Sequence, residues 1–181
     1  MNVLILHGIQ GKAGENWGQW LNDSLIKKSY NVFMPTLPEP DHPDRNTWYN
    51  EIKLIADKQS NNLIIVAHSL GVTSALDYIE QSTFKVKGLV SVSGFADDYG
   101  LELNSYFLKK KQINFDKVNK NLEKAFVFYG DNDPYVTQEA LKSLAKELKV
   151  NPVVIKNGGH LNSSAGFTEF PKLLETVLSI S

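Results

Sequence analysis

Three residues far apart in this sequence have the types that acyl transfer needs: Ser69, Asp133 and His160. Ser69 lies in Leu63-Ile-Ile-Val-Ala-His-Ser-Leu-Gly-Val72, an apolar run leading through small-X-Ser-X-Gly into a stretch with Val72, Leu76 and Ile79 at helical spacing. A strand turning this tightly into a helix forces the serine into a strained backbone conformation and exposes its hydroxyl. Small residues are required two places to either side, where strand and helix approach closely. Gly71 meets that need, and Ala67 meets it as a mild departure from glycine. A helix starting after Ser69 points its N–H groups and positive dipole end at the hydroxyl, which suits a developing oxyanion. A neutral serine is a poor nucleophile without a base. His160, in the turn Asn157-Gly-Gly-His160 after the last apolar run, is the best placed of the four histidines. The base needs an acid to hold its tautomer. Tyr129-Gly-Asp-Asn-Asp-Pro-Tyr-Val136 offers Asp131 and Asp133, while Asp97 and Asp98 follow the preceding run. Two oxyanion donors are expected, the backbone N–H of Leu70 and that of Ile9 in the loop His7-Gly-Ile-Gln-Gly11.

Positioning such a set takes a sheet. The apolar runs Val3–Leu6, Val32–Met34, Leu63–Ala67, Gly88–Val92, Ala125–Tyr129 and Pro152–Ile155 are each too short for a buried helix and read as strands covered on both faces. Between them lie amphipathic stretches: Trp17, Leu21 and Leu25; Trp48, Ile52 and Ile55 after Asn46; Leu141, Leu144 and Leu148 after a Thr137 cap; and Leu174, Val177 and Leu178. This alternation predicts a parallel sheet with helices on both faces, a three-layer α/β/α sandwich, in one domain over residues 1–181. Two irregular segments, 35–44 and 97–121, follow strand ends, where ligands bind in such sheets. They are expected to wall the pocket, with His7, Gln10, Trp48, Tyr106 and Phe107 as candidate lining residues. Blander roles stand beside these. Trp17, Trp20 and Trp48 read first as helix packing, His7 as a prop of its loop, His68 as packing, His42 as a solvated loop residue and Lys109–Lys111 as a solvated face.

Composition narrows the partners. A net charge of −1 and a single arginine, Arg45, argue against nucleic acid and anionic membrane surfaces. With no cysteine, disulfides, thiolate metal sites and thiol nucleophiles are excluded. No histidine–carboxylate spacing suits a metal and no glycine pattern suits a dinucleotide, so no cofactor is expected. The N-terminal apolar run is too short for an export signal, which leads to the expectation of a cytoplasmic protein acting on a small molecule.

The order serine, acid, histidine along the chain is that of α/β hydrolases and differs from the chymotrypsin and subtilisin orders. The HG loop, the proline-rich stretch with Trp48 downstream, AHSLG, Tyr106-Phe107, GDNDPYV and GGHLN together resemble the small serine hydrolases of the RBBP/YdeN group over essentially the whole chain. The resemblance implies a minimal α/β-hydrolase fold with a mostly parallel six-stranded sheet of order 2-1-3-4-5-6 and no large lid. It places the acid at Asp133 rather than Asp131 and implies esterase-like activity on small esters. Two rival readings share the scaffold: a protein-binding module with a vestigial site, and a lyase or cofactor-free oxygenase using the same three residues.

Overall fold

The structure, a computed structural model, describes residues 1–59 and 62–180. The six apolar runs become β1 (Asn2–Leu6), β2 (Asn31–Phe33), β3 (Leu63–His68), β4 (Gly88–Val92), β5 (Ala125–Gly130) and β6 (Val153–Ile155). They form one sheet of order β2-β1-β3-β4-β5-β6, and every neighbouring pair is parallel. The helices are α1 (Gly18–Ile26), α2 (Arg45–Ala56), α3 (Leu70–Gln81), α4 (Glu102–Leu108), α5 (Phe115–Asn121), α6 (Gln138–Glu147) and α7 (Pro171–Leu178). Successive strand residues point to opposite faces, and here both faces are apolar. Leu63, Ile65 and Ala67 join the core shared with Trp48, Leu76 and Leu144, while Ile64 and Val66 join the core shared with Leu21, Leu173 and Val177. Two cores on one sheet make three layers.

Local chemistry sets the helix starts. Thr137 caps α6 by accepting the Ala140 N–H at 3.3 Å. Asp44 caps α2 by accepting the Thr47 N–H at 2.9 Å. The segment 97–121 is not one irregular insertion but carries α4 and α5. Each has only seven residues, about two turns, too short for an apolar period to register. α4 has no side-chain cap at its start and depends on tertiary contacts. Arg45, 3% exposed, pairs with Asp77 through two bonds of 2.7 and 3.0 Å. Its Nη1 also donates to the carbonyls of Phe107, Leu108 and Lys111 at the α4 C-terminus, at 2.8 to 3.1 Å. The sole arginine is thus a strut between α2, α3 and α4.

The proline-rich segment 35–44 serves a different purpose from the one expected. It braces the loop after β1: the Leu37 N–H donates to His7 Nε2 at 2.8 Å, and the Pro40 carbonyl accepts the Gln10 N–H at 2.7 Å. Because Nε2 accepts, His7 carries its proton on Nδ1, which donates to the Gly8 carbonyl at 2.7 Å. Burial pushes the His7 imidazole below its ordinary pKa, in keeping with this neutral form.

Candidate active site

Ser69 sits between the end of β3 and the first residue of α3 with φ 54° and ψ −127°, a left-handed conformation costing on the order of 1–3 kcal/mol for a residue with a side chain. The neighbours hold it there. Its N–H donates to the Val92 carbonyl at 2.9 Å, tying the turn to β4. A Cβ at position 71 would stand 2.3 Å from the His7 carbonyl oxygen, and one at position 8 would stand 2.8 Å from Ser69 Cβ. The loop after β1 and the serine turn therefore pack so closely that only glycine fits at both positions.

The loops after β5 and β6 meet in the same way, since a Cβ at Gly130 would lie 2.2 Å from the Gly159 carbonyl oxygen. His160 Nδ1 donates to Asp133 Oδ2 at 2.7 Å. Asp133 Oδ1 accepts the N–H groups of Tyr135 and Val136 at 2.9 and 3.0 Å, and the carboxylate side chain is 0% exposed. Asp131 instead accepts the Asn157 N–H at 2.7 Å, and Asp98 accepts from Ser105 and Gly100. Of the four candidate acids, Asp133 is the one hydrogen-bonded to the imidazole. Several further groups brace the histidine turn: Asn132 accepts the Gly159 N–H at 2.8 Å, Trp17 Nε1 donates to the Leu161 carbonyl at 3.1 Å, and Asn16 accepts the Ser163 N–H at 2.9 Å. His68 Nε2 donates to the His160 carbonyl at 2.9 Å. Burial, reinforced by the neighbouring His160 ring, pushes the His68 imidazole down to about 3, so it remains neutral beside that ring.

Ser69 and His160 open onto a common cleft of about 280 Å³. Among the described residues no hydrogen bond joins Ser69 Oγ to His160, and such contacts often close only around a substrate. Among the described residues the N–H groups of Ile9 and Leu70 donate to no protein acceptor. Over residues 3–179 the chain matches the serine hydrolase family. The chain belongs to that family. This serine hydrolase is 27% identical to YdeN of Bacillus subtilis (strain 168), over 98% of its own length and 94% of YdeN. The crystal structure of YdeN superposes with a TM-score of 0.91 at 24% identity, covering 99% of this chain and 97% of that one. Est1E of Butyrivibrio proteoclasticus has the same fold, with a TM-score of 0.77, 17% identity and coverage of 99% and 87%.

The cleft of the hydrolase takes His7 and Gln10 into its lining, together with Gly8, Ile9 and Asn16. Trp48, Tyr106 and Phe107 do not line it. Trp48 and Phe107 are fully buried, 5.7 Å apart ring to ring, with Trp48 Nε1 on the Pro38 carbonyl at 2.8 Å. Tyr106 stands edge-on to the His42 ring at 4.2 Å. Trp48 and Phe107 belong to the core because α2 and α4 turn them inward, while Tyr106 stays half-buried at its edge. The apolar wall is made instead by Tyr99, Leu101, Leu103, Tyr135 and Val136, with Asn104 among them. Tyr135 was legible as a neighbour of the acid. The inward face of α4 was not, for want of a period. Among the described residues no helix is long and apolar enough to cross a membrane.

Proposed function

We propose that this serine hydrolase cleaves small carboxylic esters through an acyl-enzyme on Ser69, with His160 as base and then acid. The observation that carries the reading is convergence: a strained serine and an imidazole hydrogen-bonded to a buried carboxylate, delivered by three separate strand ends, open onto one cleft. With Nδ1–H held by Asp133, His160 Nε2 is left with its lone pair for the Ser69 proton. As that proton moves, Oγ attacks the ester carbonyl carbon, and the carbonyl oxygen takes up negative charge. The unpaired N–H groups of Ile9 and Leu70, with the N-terminal dipole of α3 behind them, supply the donors for that charge. Collapse expels the alkoxide, which takes its proton from His160 Nε2. Water then attacks the acyl-serine, His160 acting again as base, and the acid leaves.

A fluorophosphonate probe tests this directly. Ser69 becomes labelled in the wild type, while Ser69→Ala is not labelled and loses hydrolysis of short p-nitrophenyl esters by roughly 10⁴-fold or more. His160→Ala labels far more slowly. A folded wild-type protein that resists the probe and leaves the esters intact refutes the proposal, and the protein-binding reading then takes its place.

A further inference from the structure

Among the described residues five buried polar atoms have no hydrogen-bond partner: the hydroxyls of Ser74, Ser91, Ser93 and Tyr106, and Asn104 Oδ1. Only Asn104 belongs to a residue lining the cleft that holds Ser69 and His160. Its residue is 2% exposed, and its Nδ2 donates to the Tyr99 hydroxyl at 2.9 Å. Leaving a buried amide oxygen unpaired costs about 1–3 kcal/mol, a cost that leucine of similar size would avoid at this position on α4. The surroundings sharpen the point, since the apolar side chains of Leu101, Leu103 and Val136 line the same cleft. Tyr99, packed on Phe95 at 4.9 Å between ring centres, has its phenol pKa raised by burial and so keeps its proton. With its oxygen taken by Asn104 Nδ2, that O–H has no protein acceptor among the described residues.

An apolar wall thus carries one polar pair with unused capacity, an acceptor on Asn104 and a donor on Tyr99. Turning the amide about its axis changes the signs but not the deficit: Tyr99 would then donate to Oδ1 and leave Nδ2 as the unused donor. A hydroxyl group satisfies either arrangement, because it both gives and accepts a hydrogen bond. We infer that Asn104 and Tyr99 select esters whose acyl group is an apolar stem bearing a hydroxyl. This rests on the esterase reading above and names the substrate class for the same site. A site built to bond a hydroxyl discriminates against the analogue lacking it more sharply than an apolar pocket discriminates against one methylene.

The test uses matched pairs of methyl esters, followed by acid release: phenylacetate against 4-hydroxyphenylacetate, 3-phenylpropanoate against its 4-hydroxyphenyl counterpart, and butanoate against 3-hydroxybutanoate. In at least one pair the wild type is expected to favour the hydroxylated ester by about tenfold in kcat/KM, the size of one neutral hydrogen bond. Asn104→Leu and Tyr99→Phe each bring that ratio close to one. Tyr99→Phe removes a single oxygen and reports even where the Asn104 variant is too unstable to purify. A wild type that favours the plain ester in every pair, or a preference unchanged in the purified variants, overturns the inference. Fluorophosphonate labelling separates the two levels. A labelled Ser69 with no hydroxyl preference refutes the selectivity alone, whereas an unlabelled Ser69 with no ester turnover refutes the esterase reading and the selectivity with it.

Discussion

Asp133 Oδ1 is held by two backbone N–H groups and Oδ2 by the His160 ring, so both oxygens are committed. In Asp133→Asn the amide oxygen can keep the backbone bonds, and its NH₂ then faces Nδ1. The imidazole must present a lone pair there and carry its proton on Nε2, the tautomer that cannot receive the Ser69 proton. The expected loss in kcat is about 10⁴-fold with little change in melting temperature. Asp131→Asn, which disturbs only a bond to the Asn157 N–H, should stay within about tenfold. Steady-state kinetics beside thermal melts of both variants checks the contrast. His68 bears on stability instead. It titrates at about 3 in the folded chain against an ordinary value of 6.5. Between those values the unfolded chain binds a proton that the folded chain refuses, so the contribution is complete above pH 6.5 and is lost as pH falls toward 3. The slope is about 1.4 kcal/mol per pH unit, and burial of His7 acts in the same direction. Urea midpoints at neutral and acid pH should fall less steeply in His68→Gln, which retains a donor for the His160 carbonyl.

At the scale of elements, the turn between β3 and α3 and the strut beneath α4 are the vulnerable joints. The Cβ of Gly71→Ala would collide with the His7 carbonyl, a rigid backbone atom that cannot give way without moving β1 or the start of α3. We expect a loss of more than about 2 kcal/mol in folding free energy together with loss of ester turnover. Ala67→Gly, its mirror position on β3, should cost about 0.5–1 kcal/mol from backbone entropy alone. Arg45→Ala leaves Asp77, 2% exposed, without its bidentate partner and frees three carbonyls at the end of α4. With Lys111 still 3.1 Å from Asp77, the cost is expected to be about 3 kcal/mol. The double variant Arg45→Met with Asp77→Leu should recover much of it, because two apolar side chains need no mutual charge. Urea denaturation of the single and double variants measures both numbers.

Taken whole, the molecule opens the cleft that holds Ser69 and His160 at the carboxyl edge of one parallel sheet. The cleft is lined by Leu103 and Asn104 of α4, by Tyr135 and Val136 after β5, and by the loop after β1. In a cleft of about 280 Å³ a long acyl chain finds little room, so kcat/KM on p-nitrophenyl esters should be highest from acetyl to butanoyl and decline through dodecanoyl. An ester panel run on wild type, with Ser69→Ala as background, reads this out.

The sequence by itself determined the architecture and the serine turn, and it singled out His160, which lines the same cleft as Ser69. Strand runs, helix faces and glycine-dependent turns are written in neighbouring residues, where side-chain period and backbone sterics act over a few positions. Tertiary structure alone put Asp133 rather than Asp131 against the His160 ring, turned Trp48 and Phe107 into the core, made a strut of Arg45 and brought Asn104 into the cleft. Those outcomes depend on groups dozens of positions apart, and on which face of a two-turn helix meets the sheet. No local pattern encodes that, because burial of such a helix is settled by the shape of the layer it packs against.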